Sequence, residues 1–188
     1  MKKIAISFIA AAFAANLLVA AEDLKPIKEE GVKYIKMLGG ALKKEVQAKM
    51  KEDPTGALAM GFCSTRATEI TEKVNNQLPD YAKVRRTALK VRNTKNTPDA
   101  TDKEVMERYA KAITDKSFSP KDIKVVDAGD AYRVYKPLVA KAMCLKCHGT
   151  NISDDIQAVL KKVYSKDQAT GFKEGDLRGV IVAEIKKD

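Results

Sequence analysis

The residues with the clearest chemical potential stand together at Cys144-Leu145-Lys146-Cys147-His148. Two cysteines separated by two residues and followed at once by histidine form the attachment signature of c-type haem. The spacing lets both thiols reach the vinyl groups of one porphyrin, and the adjacent imidazole then lies beneath the iron as an axial ligand. We therefore predict one covalently attached haem c, held by Cys144 and Cys147 and ligated by His148.

Two other kinds of site use the same residue types. A C-x-x-C pair can be a redox-active dithiol, but no strand–helix–strand context of the thioredoxin type surrounds this one. The three cysteines and one histidine of the chain match a Cys₃His zinc site in number. However, the adjacent residues Cys147 and His148 would ligate one tetrahedral ion only with strain. Haem attachment is therefore favoured over both alternatives.

The ligand opposite His148 is restricted by composition. His148 is the only histidine in the chain, so a second histidine ligand from the same chain is excluded. The sixth position of the iron is left to methionine, cysteine, lysine, water or no ligand. Cys63 is either a small buried apolar residue or the thiolate at that position, and Met60, one helical turn away, competes for the role. A peroxidase would need a distal acid–base group, usually histidine, so we expect no enzymatic activity.

A basic segment provides the remaining candidates for cofactor binding. Arg85, Arg86 and Arg92 lie close together in the sequence. Guanidinium groups make charge-assisted hydrogen bonds to carboxylates, and the haem propionates are carboxylates. The alternative is a solvated basic strand whose charges have no specific partner. The sequence leaves both interpretations open for each of the three residues.

Hydrophobic periodicity predicts the elements that position these residues. Apolar residues at three- and four-residue spacings predict a helix over 24–50, and a second helix from Asp53-Pro54 to about residue 75 completes a long N-terminal helical hairpin. The chain continues with an extended segment over 81–92 and a helix whose capping box is Thr101-x-x-Glu104. It then forms strands over 123–126 and 132–139, a helix over 154–164 and a last strand over 178–185. Pro137 places its strand near an edge or ends its pairing there. This order of helices and a small antiparallel sheet indicates an α+β fold.

The N-terminus predicts export. Residues 1–21 start with Met-Lys-Lys, continue as an apolar stretch and end on Val19-Ala20-Ala21, which is typical of a cleaved signal peptide. Residues 22–188 then form a single periplasmic domain with no membrane span, and the alternative is an uncleaved anchor. The net charge of +10 would suit nucleic acid, but export and the scattered lysines argue against that partner. Acidic partner proteins remain compatible with this charge.

Four stretches, taken in order, resemble a family of exported mono-haem c-type proteins classed as a domain of unknown function. They are Gly61-Phe62-Cys63-Ser64; Arg85 to Asn93 with Asn96 and Pro98; Tyr135-Lys136-Pro137-Leu138 leading into Met143 to Gly149; and Tyr164 to Gly179. The resemblance implies a PAS-like fold, in which a central antiparallel sheet is flanked by helices and the haem lies in a pocket. It also implies that His148 and Cys63 together ligate the iron.

Two functions are compatible with such a site. A sensor of redox state, or of a small gas such as CO or NO, would release the thiolate ligand on reduction. A low-potential electron carrier would keep both ligands and dock on an acidic partner. PAS-like folds often serve as sensors, so by analogy we expect a sensor, with electron transfer as the alternative. Since the chain carries no output domain, its redox or signalling partner must be a separate protein.

Overall fold

The computed structural model describes the backbone of residues 9–187 and the side chains of residues 24–187. Within this part of the chain the helices are α1 (Ile9–Glu52), α2 (Ala57–Thr65), α3 (Ala67–Asn75), α4 (Ala100–Thr114), α5 (Leu145–His148) and α6 (Asp154–Val163). The strands are β1 (Ala82–Thr87), β2 (Lys124–Asp127), β3 (Ala131–Val139) and β4 (Leu177–Lys186). Short 3₁₀ turns cover Thr94–Asn96 and Ala142–Cys144.

The four strands form one antiparallel sheet in the order β1-β4-β3-β2. The C-terminal strand β4 is central, because β1 pairs with it on one side and β3 on the other. Strands β2 and β3 form the predicted hairpin. The expectation of an α+β fold with a central antiparallel sheet and flanking helices is confirmed.

One face of the sheet is covered by α1 and α3. Their buried apolar side chains pack on alternate residues of the strands, as period-two patterning requires. This core contains Tyr34, Ile35, Leu38, Leu42, Ala67, Val74, Leu78, Val84, Val134, Ile181, Ala183 and Ile185. Helix α1 approaches the sheet so closely at Gly31 that any Cβ there would overlap the side chain of Val134.

The opposite face is covered by α4. Its buried residues Val105, Met106 and Tyr109 pack on Tyr135, Val180 and Val182. The hydroxyl of Tyr109 donates to the carbonyl of Tyr135 at 3.1 Å, which fixes the helix along the sheet. Because successive side chains of a strand point to opposite faces, β1 directs adjacent residues toward the two different layers.

The second arm of the N-terminal hairpin differs from the single helix predicted up to residue 75. It is divided into α2 and α3 at Arg66, which ends one helix and begins the other. The hydroxyls of Ser64 and Thr65 both donate to the carbonyl of Gly61, at 2.7 and 3.0 Å. Such side-chain bonds compete with the helical backbone pattern and weaken the helix at this point.

The capping box of α4 was predicted at the wrong pair of residues. The N-cap is Asp99, whose side chain accepts from the backbone N–H of Asp102 at 2.9 Å, while the Asp102 side chain accepts from the N–H of Asp99 at 3.2 Å. The sequence offers two pairs of capping residues at the same spacing, and the earlier pair is used. Thr101 and Glu104 therefore lie inside the helix.

The predicted extended segment over 81–92 is also shorter in the structure. Pairing of β1 with β4 ends at Thr87, opposite Val180. The chain then leaves the sheet, and the carbonyl of Val91 accepts from the backbone N–H of Gln168 at 2.8 Å. This turn away from the sheet carries the end of the segment toward the loop that precedes β4.

Pro137 lies in an inner strand but at a position where pairing on one side has stopped. Strand β2 pairs with β3 only as far as Lys124 opposite Tyr135. Beyond that point β3 pairs with β4 alone, with Pro137 opposite Val180. Pairing with β2 stops two residues before Pro137, whereas pairing with β4 continues through Pro137 to Val139, so β3 is an edge only locally at this proline.

The predicted signal peptide, residues 1–21, lies outside the residues whose side chains are described, and residues 1–8 also lie outside the described backbone. Among the described helices, none combines the length and apolar character that a bilayer crossing requires.

Candidate functional site

A cavity of about 260 Å³ lies between the end of α1, helix α2, the loop after β1 and the C-x-x-C-H segment. Its wall carries thiols, thioethers, an imidazole and guanidinium groups beside apolar side chains. The members with reactive or charged side chains, or with a sulfur atom, are Met50, Met60, Cys63, Arg86, Arg92, Met143, Cys144, Cys147, His148, Tyr164 and Arg178. The fold thus brings Cys63 to the attachment motif, although the two lie far apart in the sequence.

The attachment motif is built on two short helical turns. The 3₁₀ turn Ala142–Cys144 leads directly into α5. Because residues three and four apart lie on one side of a helical turn, Cys147 and His148 face the same way as Cys144. The backbone N–H of Phe172 donates to the carbonyl of His148 at 2.9 Å and ties the loop before β4 to the motif.

The ring of His148 is held in one tautomer. Its Nδ1 lies 2.7 Å from the carbonyl oxygen of Ala169 and must donate, since a carbonyl only accepts. Nε2 is therefore unprotonated, and it accepts from Nε of Arg178 at 3.5 Å. Burial lowers the pKa of His148 to about 3, and the charges of Arg178 and Arg92 act in the same direction. The ring is a neutral imidazole whose Nε2 lone pair can bind a metal.

Cys63 reaches the same cavity from α2. Its thiol is free and half-buried, as are those of Cys144 and Cys147. Burial raises the pKa of the Cys63 thiol, while the charges of Arg86 and Arg92 oppose this rise. Three thiols and one imidazole therefore line a single cavity.

Met60, the competitor of Cys63, belongs to the core at the edge of this cavity. Its side chain is 1% exposed and packs in a cluster with Ile152, Ile156 and Leu160. Its sulfur lies 3.8 Å from Nη1 of Arg92 and accepts a weak hydrogen bond from it. The thioether is thus already engaged by the protein, as is common for a methionine that fills a core gap.

Two guanidinium groups in the cavity wall have no carboxylate partner among the described residues. Nε of Arg86 is buried and makes no hydrogen bond. Arg178 donates only to His148 and to the backbone carbonyl of Lys90, and it stacks 5.3 Å from the ring of Phe172. Burial lowers the pKa of both, that of Arg178 to about 10. A pair of half-buried cations without counter-ions is suited to binding an anion.

Arg178 was missed by the sequence-based list of site residues. It stands in the last strand next to Leu177, which packs on the α4 side of the sheet. A register shift in β4, where Leu138 pairs with Gly179 and Val139 with Leu177, leaves Arg178 as an extra residue that lines the cavity and does not share the α4-facing side of Val180 and Val182. Simple alternation with Val180 and Val182 predicts Arg178 on the α4 side, and no local pattern in the sequence indicates the irregularity that redirects it.

Arg85 does not reach the cavity. Its guanidinium lies on the α4 side of the sheet and forms a bidentate pair with Asp102, at 2.7 and 3.0 Å, and a hydrogen bond to Glu184 at 2.7 Å. Burial alone would lower the pKa of Arg85, but these carboxylates outweigh it and raise the pKa. The assignment of Arg85 to cofactor binding is corrected by its place on the opposite face from Arg86.

Arg92 lines the cavity, but its guanidinium is already occupied. Nε donates to Asp167 at 3.1 Å, and Nη2 donates to the carbonyls of Cys147 and Ala169 at 2.6 and 3.0 Å. The side chain is only 8% exposed. With its donors directed at protein acceptors, Arg92 is poorly placed to bind an external carboxylate.

The zinc alternative does not fit the arrangement of these groups. Within the described residues, which include Cys63, Cys144, Cys147 and His148, no group of three or more His, Cys, Asp or Glu side chains is placed to hold a metal ion. The four side chains line one cavity without converging on one point. The Cys₃His interpretation is therefore wrong for this geometry.

Comparison with curated protein sequences finds no match. Among solved structures the chain is similar to the cyanobacterial heme-protein Tll0287, with 22% sequence identity and a TM-score of 0.62 over 89% of this chain and 96% of that chain. At this identity the likeness supports the fold. The model of the Tll0287-like family (Tll0287) matches residues 15–185. Because the match spans nearly all of the sequence, this chain belongs to the Tll0287-like family.

Proposed function

We propose that this chain is an exported protein that carries one covalently attached haem c in the cavity, with Cys144 and Cys147 as thioether attachment points and His148 as an axial ligand. The observation that carries the proposal is the fixed ring of His148, which lines the same cavity as two free thiols at the sequence spacing of a haem attachment motif. The solved structure that the chain resembles is described as a heme-protein.

The donor set of the cavity fits a haem. Haem supplies an iron centre that takes up one electron and binds small ligands. Arg86 and Arg178 offer cationic groups that have no carboxylate partner in the part of the chain whose side chains are described, which suits the two propionates. The apolar and thioether side chains of the remaining wall suit the porphyrin ring. Arg178 replaces Arg85 and Arg92 in this role, since those two guanidinium groups have protein partners.

We assign the second axial position to Cys63. Its thiol lines the cavity from α2, across from the elements that carry His148. Met60 also lines the cavity, but its sulfur is directed to Arg92 and its side chain fills the core cluster around Ile156. Thiolate ligation donates electron density to the iron and favours the ferric form, so the reduction potential should be low.

The role that we propose is that of a sensor of redox state or of a small gas such as CO or NO. A thiolate ligand that leaves the ferrous iron would open one coordination position for such a gas. The support is the placement of Cys63 on α2, a helix of nine residues that is separated from α3 only at Arg66. A short element of this kind can move without disturbing the sheet.

The alternative role is electron transfer, and one observation favours it. The cavity is smaller than the roughly 300–1,000 Å³ that drug-sized ligands fill, so a haem would extend to the surface beside Cys144, where Met143 is exposed. Lys146 is exposed within the motif itself. An accessible haem edge with a basic rim suits docking on an acidic redox partner. We propose both roles as non-catalytic, and the periplasmic location rests on the signal peptide predicted for residues 1–21.

The test begins with expression of the full chain together with haem-maturation machinery. Covalent attachment is expected to survive denaturing electrophoresis, and Cys147→Ser should abolish normal attachment. A wild-type protein that releases its haem on denaturation would contradict the proposal. Mass spectrometry of the purified protein gives the number of haems and shows whether residues 1–21 have been removed.

Axial ligation is tested by ferric absorption and EPR spectra of the wild type, Cys63→Ala and the matched control Met60→Leu. Low-spin thiolate features that disappear only in Cys63→Ala would support the assigned ligand. Identical spectra for wild type and Cys63→Ala would refute it. Rapid CO binding to the reduced wild type favours the sensor, whereas slow or absent CO binding favours the electron carrier.

A further inference from the structure

Arg92 donates its hydrogen bonds to protein acceptors around His148, whereas an arginine that binds a propionate would keep its donors free. Its Nε donates to Asp167 at 3.1 Å, and its Nη2 donates to the backbone carbonyls of Cys147 and Ala169. These acceptors belong to two segments that are distant in the sequence: Asp167 and Ala169 lie in the loop before β4, and Cys147 lies in the attachment motif. One side chain thus links the segments that surround His148.

The carbonyl of Ala169 is shared between Arg92 and the axial histidine. It accepts from Nη2 of Arg92 at 3.0 Å and from Nδ1 of His148 at 2.7 Å. Ala169 is fully buried, so water does not compete for this oxygen. The two lone pairs of the carbonyl are therefore both used, one by each donor.

Asp167 holds both Arg92 and the residue that carries the shared carbonyl. One carboxylate oxygen, Oδ2, accepts from Nε of Arg92, and the other, Oδ1, accepts from the backbone N–H of Ala169 at 2.8 Å. The side chains of Arg92 and Asp167 are only 8% and 10% exposed. Arg92 therefore has a buried counter-ion, which Arg86 and Arg178 in the same cavity lack among the described residues.

We propose that Arg92, anchored by Asp167, is a positioning residue that orients His148 and limits its electron donation to the iron through the shared carbonyl of Ala169. The inference rests on the proposed function, because it concerns the histidine assigned as axial ligand. Partners of the non-ligating nitrogen of a histidine set its orientation and its basicity. A guanidinium on the same acceptor draws electron density away from the carbonyl and weakens its pull on the Nδ1 proton.

The sign of the effect follows from this arrangement. Without the guanidinium, the carbonyl of Ala169 accepts more strongly from Nδ1 of His148, and the ring becomes a stronger donor that favours ferric iron. The loss of a buried positive charge also favours the ferric state. Both effects lower the reduction potential in Arg92→Gln. Asp167→Asn removes a negative charge and leaves Arg92 uncompensated, so it should raise the potential.

The experiment compares haem-loaded wild type with Arg92→Gln, Arg92→Lys and Asp167→Asn. Lys90→Gln is the matched control, since Lys90 is exposed and its amine donates to the same loop at the carbonyl of Thr170, 2.9 Å away, and not to the carbonyl of Ala169. The readouts are the reduction potential, the iron–histidine stretch in resonance Raman spectra of the reduced protein, and thermal unfolding. Arg92→Lys keeps the charge but not the forked geometry.

We expect a lower potential and a stronger iron–histidine stretch in Arg92→Gln, a higher potential in Asp167→Asn, partial recovery of the potential in Arg92→Lys and little change in Lys90→Gln. Shifts of the same sign in Arg92→Gln and Asp167→Asn would indicate general loosening and would overturn the inference, as would an unchanged stretch. If Arg92→Gln does not fold, the reduction potentials of Arg92→Lys and Asp167→Asn are compared instead. A lower potential in the first and a higher potential in the second support the inference, and shifts of the same sign overturn it. A wild type without attached haem would refute the proposed function instead.

Discussion

Arg85 and Arg86 are neighbours in one strand, yet they lie in two contrasting environments. On the α4 side of the sheet, Arg85 is surrounded by carboxylates, with Asp102 held in a bidentate pair and Glu184 beside it. On the cavity side, the buried Nε of Arg86 has no partner, and no carboxylate contacts this side chain, among residues 24–187. Strand alternation separates the two guanidinium groups, and the layers above and below the sheet give them different partners.

The contrast indicates how to interpret a buried arginine. A charge that the protein itself neutralises contributes to the fold, and its removal leaves the partner charge buried and unpaired. A half-buried charge without a counter-ion is costly for the fold alone, which indicates that it serves an anion from outside. By this criterion the α4 side holds a structural network, and the cavity side is the binding site that we propose.

The α4-side network is centred on Asp102, which is fully buried. Besides Arg85, its carboxylate accepts from the hydroxyl of Tyr135 at 3.0 Å and lies 3.7 Å from Nη1 of Arg133. Arg133 also donates to Asp99, the N-cap of α4, at 2.6 Å. The network therefore joins the start of α4 to the sheet.

The largest expected effect is that of Asp102→Asn. The substitution keeps the shape of the side chain but leaves Glu184 as the one carboxylate that Arg85 and Arg133 share among the described residues. The free energy of unfolding should fall by about 3 kcal/mol, the lower end for a broken buried ion pair. Urea unfolding measures the loss. Haem absorption of the folded variant should equal that of the wild type, and an altered spectrum would show that the two faces are not independent.

Arg85→Gln and Arg86→Gln form a matched pair one residue apart. Arg85→Gln should lower the unfolding free energy by about 2–3 kcal/mol, because charged hydrogen bonds to Asp102 and Glu184 are lost, and should leave the reduction potential unchanged. Arg86→Gln should lower the potential, since a cation near the iron is removed, with a smaller change in stability of the haem-free chain. Potentiometry and urea unfolding of both variants test this contrast. Equal changes in reduction potential and in unfolding free energy for the two variants would contradict it.

Tyr135→Phe tests one hydrogen bond of the α4-side network. The hydroxyl of Tyr135 is buried and donates to the carboxylate of Asp102. Its removal should cost about 1.5 kcal/mol of unfolding free energy, the lower end for bonds to charged groups, because Arg85 still neutralises the carboxylate. Thermal and urea unfolding would detect this loss, and a neutral result would show that Asp102 is satisfied without the tyrosine.

Tyr164→Phe is the corresponding change on the cavity side and should have the smallest effect. The hydroxyl of Tyr164 donates to the backbone carbonyl of Cys63 at 3.2 Å, joining the residue after α6 to α2. The bond is long and half-buried, so we expect a loss of about 0.5 kcal/mol. The ferric spectrum should shift slightly if Cys63 ligates the iron. Comparison of EPR spectra with those of Tyr135→Phe separates this local effect from general destabilisation.

Much of the fold was predictable because it depends on local patterns. The periodicity of α1, the β2–β3 hairpin and the final strand follow from apolar spacing and turn residues, and the structure confirms them. The break at Arg66 and the shift of the capping box to Asp99 were not predicted, because competing local hydrogen bonds of similar strength decide them. The resemblance to a family of haem proteins is confirmed by the family match.

The sequence by itself determined which chemical groups are present: the C-x-x-C-H motif, one histidine, and a third cysteine that is available as a second iron ligand opposite that histidine. It also determined that Arg85 and Arg86 face opposite ways if they lie in a strand. Only the tertiary structure decided which of the two faces the cavity. The reason is that the deciding contacts join distant residues, such as Arg85 with Glu184, 99 positions away, and Arg92 with Asp167, 75 positions away. Partners at such separations are brought together by packing of the sheet and its helices, which no local pattern specifies.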